Sequence, residues 1–292
     1  MHIGVGLPAM IPGTSPEQLL GWAVQAEESG YASLSVLDRI VYENYEPLVT
    51  LAAAAAVTRR IGLATTVLLA ATRGTGAVLA KQAASVHRLS GGRLTLGIAV
   101  GGREDDYTAT GTPYRTRGRD LDTLIGCLRD IWDGGDGPGA TGPIGPSLPG
   151  GGPSLLIGGH SDAAMRRAAR HARGWISGSG SAEPFAARLA RLDRAWEDAG
   201  RIRRPRVVAL AYFALGERAE ARAEGYLGGC YGTGPYARRL IGEALTTPEA
   251  VAAAADEYAR AGCDELVLLP CDPDPHQLTL LTRALGDRLG AA

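Results

Sequence analysis

With 292 residues, 45% of them hydrophobic and 21% charged, the chain can bury a large core and is neither disordered nor fibrous in composition. A formal net charge of -1 removes the electrostatic basis for phosphate-backbone binding, so nucleic acid is not an expected partner. Near-apolar stretches such as Leu48 to Val57 are too short to span a bilayer and run into Arg59 and Arg60, so no membrane association is expected.

In chain order, short runs of Val, Ile and Leu alternate with longer Ala-, Leu- and Arg-rich helical patterns. Strands are predicted at His2 to Pro8, Ser33 to Leu37, Ile61 to Leu69, Arg93 to Ala99, Ser154 to Gly158, Gly174 to Gly178, Arg206 to Ala214 and Glu265 to Pro270. The helix after the first strand carries its own start and stop signals, with Ser15 as N-cap, Pro16 at the first helical position and Gly30 beyond the end. Thr247, Pro248 and Gly262 repeat that grammar before the last strand. Eight strands each followed by a helix, in a chain of this length, predict an α/β fold of one (β/α)8 barrel over residues 1–292. Periodicity does not separate a closed barrel from an open doubly wound sheet.

The Gly/Pro-rich segment 134–153 breaks the rhythm and can hold neither a helix interior nor a central strand. A domain linker is one reading, but strands on both sides are needed for one barrel, so a mobile loop near the site is expected. The N-terminal "MHIGVGLPAMIPG" enters a strand pattern without a charged leader, and Cys127, Cys230, Cys263 and Cys271 form no C-x-x-C pair. A cytoplasmic location is therefore expected. His2, His87, His160, His171 and His276 show no metal-ligand spacing, and Glu104 to Asp106 lack a nearby histidine, so no metal is expected.

Two glycine-rich stretches carry the chemistry. In "LSGGRLTLGIAVGGREDDY", Gly91 and Gly92 are read as helix C-cap residues, and Gly101 and Gly102 follow the fourth strand, where barrel enzymes build their sites. Those two glycines would let the backbone turn and a flat ligand approach without Cβ interference; a tight turn beside a solvated charge cluster is the plainer alternative. In "LLIGGHSDAAMRRAARHARGW", a strand runs through Gly158, Gly159, His160 and Ser161 into a helix. Amides at a helix N-terminus favour phosphate, although Ser161 can equally be an ordinary N-cap. Rossmann, P-loop and G-x-S-x-G motifs are absent. Asp38 ends the second strand beside Arg39, as a functional group or as one half of a structural ion pair.

The order of these motifs resembles the bacterial-luciferase-like oxidoreductases, (β/α)8 barrels that use FMN or the deazaflavin coenzyme F420. The likeness rests on "IGVGLP", "GYASLSVLDR", "RRIGLATTVLL", the long stretch from "LAKQAASVHRLSGGRLTLG" to "RTRGRDLD", and "PSLLIGGHSDAAMRRAARHARGW", covering residues 1–180 best. The resemblance implies a ring cofactor across the barrel mouth, touching Pro8, Asp38, Thr66, Val67, Val100, Gly101, Gly102 and Arg103. It implies a non-proline cis peptide at Thr66-Val67 and a phosphate turn at Gly158, Gly159, His160 and Ser161. Relatives often have His-Pro where this chain has Thr75-Gly76, a Glu where it has Gly102, and a His where it has Arg39, so their proton donors do not carry over. Asp38, Asp106, Tyr107 and His160 are the acid/base candidates, with Asp106 also counted at the cofactor. The implied activity is hydride transfer from reduced F420 to an activated double bond of a small organic or natural-product substrate. The alternatives are an FMN-dependent monooxygenase using O2 and a non-catalytic flavin-binding subunit. The family also implies a homodimer, and relatives carry a variable lid where 134–153 falls.

Overall fold

The computed structural model describes residues 1–74, 76–181 and 183–289. Eight parallel strands close into a barrel in sequential order: β1 (His2–Gly6), β2 (Ser33–Val36), β3 (Gly62–Leu69), β4 (Leu94–Ala99), β5 (Ser154–Gly158), β6 (Gly174–Ser177), β7 (Arg206–Phe213) and β8 (Glu265–Pro270). Closure is carried by β1, which pairs with β2 at Val5↔Leu34 and with β8 at Val5↔Leu268. The expected (β/α)8 barrel is therefore present, and the open sheet is excluded.

Around the barrel run α1 (Pro16–Glu28), α2 (Pro47–Val57), α3 (Ala77–Leu89), α4 (Glu104–Thr110), α5 (Arg117–Trp132), α6 (Asp162–His171), α7 (Phe185–Asp198), α8 (Ala219–Tyr231), α9 (Pro235–Glu243), α10 (Pro248–Arg260) and α11 (His276–Leu285). Local signals set their ends as expected. Ser15 accepts from the Gln18 amide while Gln18 reaches back to the Ser15 amide, a capping box, and Pro16 follows at the first helical position. Thr247 caps α10 in the same way, ahead of Pro248. Gly91 and Gly92 end α3 with φ of +70° and +90°.

The strands divide the core into two layers, because successive side chains point to opposite faces. On β7, Val207, Ala209, Ala211 and Phe213 pack outward under the helices, whereas Val208, Leu210 and Tyr212 fill the barrel. Leu266 and Leu268 against Val267 and Leu269 do the same on β8. Extra helices accumulate after β4 (α4, α5) and after β7 (α8, α9, α10). No described helix is long and apolar enough to cross a membrane.

One expectation is corrected. The segment 134–153 joins α5 to β5, so it lies at the end of the barrel where strands begin, opposite the mouth. It packs on the last turn of α5: a Cβ at Gly137 would come within 3.0 Å of Ile131, and one at Gly152 within 2.5 Å of the Trp132 ring. Position along the chain suggested a loop beside the site; the direction of α5 carries it to the other end.

Candidate functional site

The mouth is built by the C-terminal ends of the strands. Between Thr65 and Leu68 the β3–β4 register shifts, and the Thr66-Val67 peptide is cis. Val67 packs against the barrel-interior cluster and lies against β5, where a Cβ at Gly158 would come within 2.7 Å of its Cγ1. The Ser35 and Thr66 hydroxyls share a hydrogen bond beneath. Gly101 has φ +71°, which favours glycine, and a Cβ there would come within 2.7 Å of Leu69 Cδ2 and displace the end of that side chain. A Cβ at Gly102 would stand in open space. Pro8 opens a short buried 3-10 turn after β1, completing the rim beside Met10 and Ile11.

Charge at the mouth is largely committed to holding loops. Asp38 is buried, and its Oδ2 accepts from the Leu69 amide (2.8 Å) and Arg73 Nη2 (2.9 Å). Arg73 also donates to Glu46 (2.8 Å), whose other oxygen caps α2 at the Val49 amide. Asp38 Oδ1 is buried without a partner. Burial raises the carboxyl's pKa, opposed by the Arg73 charge and its hydrogen bond.

Asp106 is 1% exposed and grips the loop after β2: Oδ1 accepts from the Ile40 and Val41 amides (3.0 and 2.8 Å), and Oδ2 from Arg39 Nε (2.9 Å). Arg39 bridges on to Asp105 at 3.1 Å. Asp106 is thus a clasp between two loops, with its carboxylate spent on protein, which corrects its expected place as a cofactor contact or acid/base group. Tyr107 is corrected likewise. It sits in the layer outside the barrel, edge-on to Tyr114, and its hydroxyl donates to the Val100 carbonyl. Burial lifts its pKa to about 12. Tyr107 positions the loop and does not face the mouth. Arg103 reaches across the mouth, with Nη2 donating to the Cys230 carbonyl (2.7 Å) and its guanidinium 5.7 Å from the Tyr231 ring.

At the end of β5, Ser161 is the N-cap of α6, its Oγ accepting from the Ala164 amide (3.2 Å). Gly159 has φ +122°, with Ala164 3.0 Å from any added Cβ. Its carbonyl accepts from the Trp175 indole (2.7 Å), and the His160 carbonyl from Arg191 (2.9 Å). Both carbonyls are thus tied back, and the first-turn amides of α6 lack intrahelical partners by construction.

Behind His160 stands Arg188 of α7, which the sequence did not single out. It is 6% exposed, and no carboxylate pairs with it among the described residues. Its Nη1 donates to Ser177 Oγ (2.6 Å), the Gly178 carbonyl (3.1 Å) and His160 Nε2 (3.2 Å), while its Nε has no partner. Burial, then the Arg188 charge, lowers the His160 pKa and keeps the ring neutral at pH 7. A roof of Tyr212, Tyr226, Tyr231 and Tyr236 was also missed. It assembles from β7, α8 and α9, with the Tyr212 and Tyr231 hydroxyls 2.5 Å apart. The cavity between this roof and the β1 end, lined by residues including Met10, Leu37 and Tyr226, measures about 10 Å³, so roof and floor are in contact there. Thr75 of the Thr75-Gly76 pair lies outside the described residues; Gly76 caps α3.

This floor fits a planar ring cofactor carrying phosphate. It has a bulge, two glycines whose Cβ would collide, a buried carboxylate oxygen without a partner, and a glycine turn at a helix N-terminus. A family model described as luciferase-like monooxygenase matches residues 1–267. The chain belongs to the luciferase-like family. It is 33% identical over 210 residues to an uncharacterized protein of Mycobacterium tuberculosis, covering 61% of this chain and 71% of that one. It is 29% identical over 157 residues to an F420-dependent glucose-6-phosphate dehydrogenase of Kribbella flavida, 51% of this chain and 47% of that enzyme. Among solved structures, an F420-dependent secondary alcohol dehydrogenase holding an F420-acetone adduct superposes with a TM-score of 0.80 at 16% identity, over 98% of this chain and 99% of that one. Monooxygenase RslO1 from Streptomyces bottropensis gives 0.77 at 22% identity, over 98% of both chains. These luciferase-like neighbours share the fold and divide between deazaflavin-dependent and monooxygenase chemistry.

Proposed function

We propose that this luciferase-like protein is an F420-dependent oxidoreductase that reduces an activated double bond of a small organic or natural-product substrate. The observation that carries the ring-cofactor reading is Asp38 Oδ1, a buried carboxylate oxygen without a partner at the barrel mouth, on a carboxylate held by the Leu69 amide two residues beyond the Thr66-Val67 bulge. The choice of deazaflavin is supported by sequence likeness to the Kribbella flavida dehydrogenase over about half of each chain. When bound, the reduced deazaflavin supplies hydride and reacts poorly with oxygen.

The chain's own residues bind, orient and exclude water. Val67 and Gly158 form a flat apolar support, and Gly101 and Gly102 keep the β4 edge free of side chains. Asp38 Oδ1 meets a ring N–H or holds a proton, as its raised pKa favours. The α6 N-terminus, Ser161 and neutral His160 would hold the phosphate, with the Arg188 cation behind them. Arg103, anchored on Cys230, draws the tyrosine roof over the mouth. The same reading includes a homodimer. Its support is the apolar outer face of α2 and α3, where Val49, Val78 and Leu89 are 67%, 65% and 73% exposed.

The test is separate fluorescence titration with F420 and with FMN, with light scattering on the same sample for a two-chain mass. Tighter binding of F420, lost in Gly159→Val, supports the proposal. Preference for FMN with oxygen consumption on reduction replaces it with a monooxygenase, and binding of neither removes the cofactor reading. A one-chain mass removes the dimer.

A further inference from the structure

A cleft of about 1040 Å³ lies at the end of the barrel opposite the mouth, below the starts of β5, β6 and β7. Six arginines line it (Arg129, Arg173, Arg201, Arg203, Arg204, Arg206), against two acids, Asp133 and Asp264. Asp264 is taken by Arg204 and by the Val207 amide (2.7 Å), and Arg206 pairs with buried Glu265 at 2.5 Å. Arg129, Arg173, Arg201 and Arg203 therefore face one cleft with no carboxylate partner among the described residues, in a chain whose net charge is -1.

Two of these guanidinium groups are held in place. Arg129 donates to the His171 carbonyl (2.6 Å), and Arg201 to the Ala169 and Ala172 carbonyls (2.6 and 3.0 Å), all on the last turn of α6. Capping a helix C-terminus explains part of their role. It uses one donor of Arg129 and two of Arg201, out of five on each, and Arg201 also stacks on the Trp196 ring at 4.7 Å. Both anchors lie at one helix end, on carbonyls of residues 169 to 172, and both side chains line the cleft. Arg173 and Arg203 are exposed, and their side chains make no hydrogen bond among the described residues. His171, at the same rim, has its pKa lowered by burial and then by the Arg129 charge, opposed by Asp122.

We propose that this cleft binds a compact polyanion of the diphosphate class, with Arg129 and Arg201 as fixed donors and Arg173 and Arg203 closing on it from the rim. Free pyrophosphate and the diphosphate of a nucleotide share this chemistry, and the cleft is large enough for either. The site is independent of the cofactor at the other end of the barrel.

The test is calorimetric titration of the full chain with inorganic pyrophosphate, then with ADP, at low salt. One-to-one binding of pyrophosphate is expected, about tenfold or more weakened in Arg173→Ser/Arg203→Ser. Both positions are exposed, so that variant should keep its far-ultraviolet circular dichroism. Tighter binding of ADP identifies a nucleotide as the source, and equal binding identifies the diphosphate alone. Gly159→Val separates the α6 N-terminus: binding lost there and kept in the arginine variant overturns the proposal. So does binding no tighter than that of orthophosphate.

Discussion

The two ends of the barrel use charge in opposite ways. At the mouth, Asp38, Arg73, Glu46, Arg39, Asp105 and Asp106 are joined in pairs that hold one loop to the next, while the floor between them is glycine, valine and backbone. At the far end, four arginines without a carboxylate partner among the described residues share a cleft with Asp133. Charge spent inside the protein fixes geometry, whereas unspent charge stays available to a ligand. Arg188 is the exception at the mouth, a buried cation with no carboxylate partner among the described residues, placed behind His160 at the Gly159–Ser161 turn.

The comparison breaks most visibly at Asp106. Asp106→Ala removes a buried carboxylate that holds Arg39 and two amides, and should destabilise the fold by about 3–5 kcal/mol in urea denaturation. Asp106→Asn, which keeps an acceptor for those amides, should cost less. A small loss in the alanine variant would mean that the charges at the mouth are not structural.

Arg188 sharpens the contrast. Because no carboxylate opposes it, Arg188→Met should change stability by only about 1 kcal/mol in either direction. It should weaken a phosphate-bearing cofactor about tenfold or more while leaving riboflavin, which has no phosphate, unaffected. Equal weakening of both ligands would assign Arg188 a purely structural role.

The smallest effect concerns pH. His160 has a lowered pKa in the folded chain, so as pH falls below the ordinary histidine value of about 6.5 the unfolded state takes up the proton first and stability declines. Above that value this contribution vanishes. His160→Gln should flatten the acid limb of a melting-temperature profile between about pH 5 and 7; an unchanged slope would remove His160 as its source.

Much of this was legible without the fold. Strand periodicity, the Ser15–Pro16 and Thr247–Pro248 helix starts and the glycine pairs depend on neighbours a few residues apart, and they sufficed for eight strands alternating with helices; closure into a barrel is read from the structure. What each charged side chain does was not legible. Asp106 meets Arg39 across 67 positions, Arg188 meets His160 across 28, and Arg103 meets Cys230 across 127. The tyrosine roof and the arginine cleft likewise gather residues from distant segments. Hydrogen bonds form between atoms close in space, and only closure of the barrel brings those segments together. The same cause moved segment 134–153 away from the mouth: its composition marks a loop, and the direction of the helix before it decides which end of the barrel that loop serves.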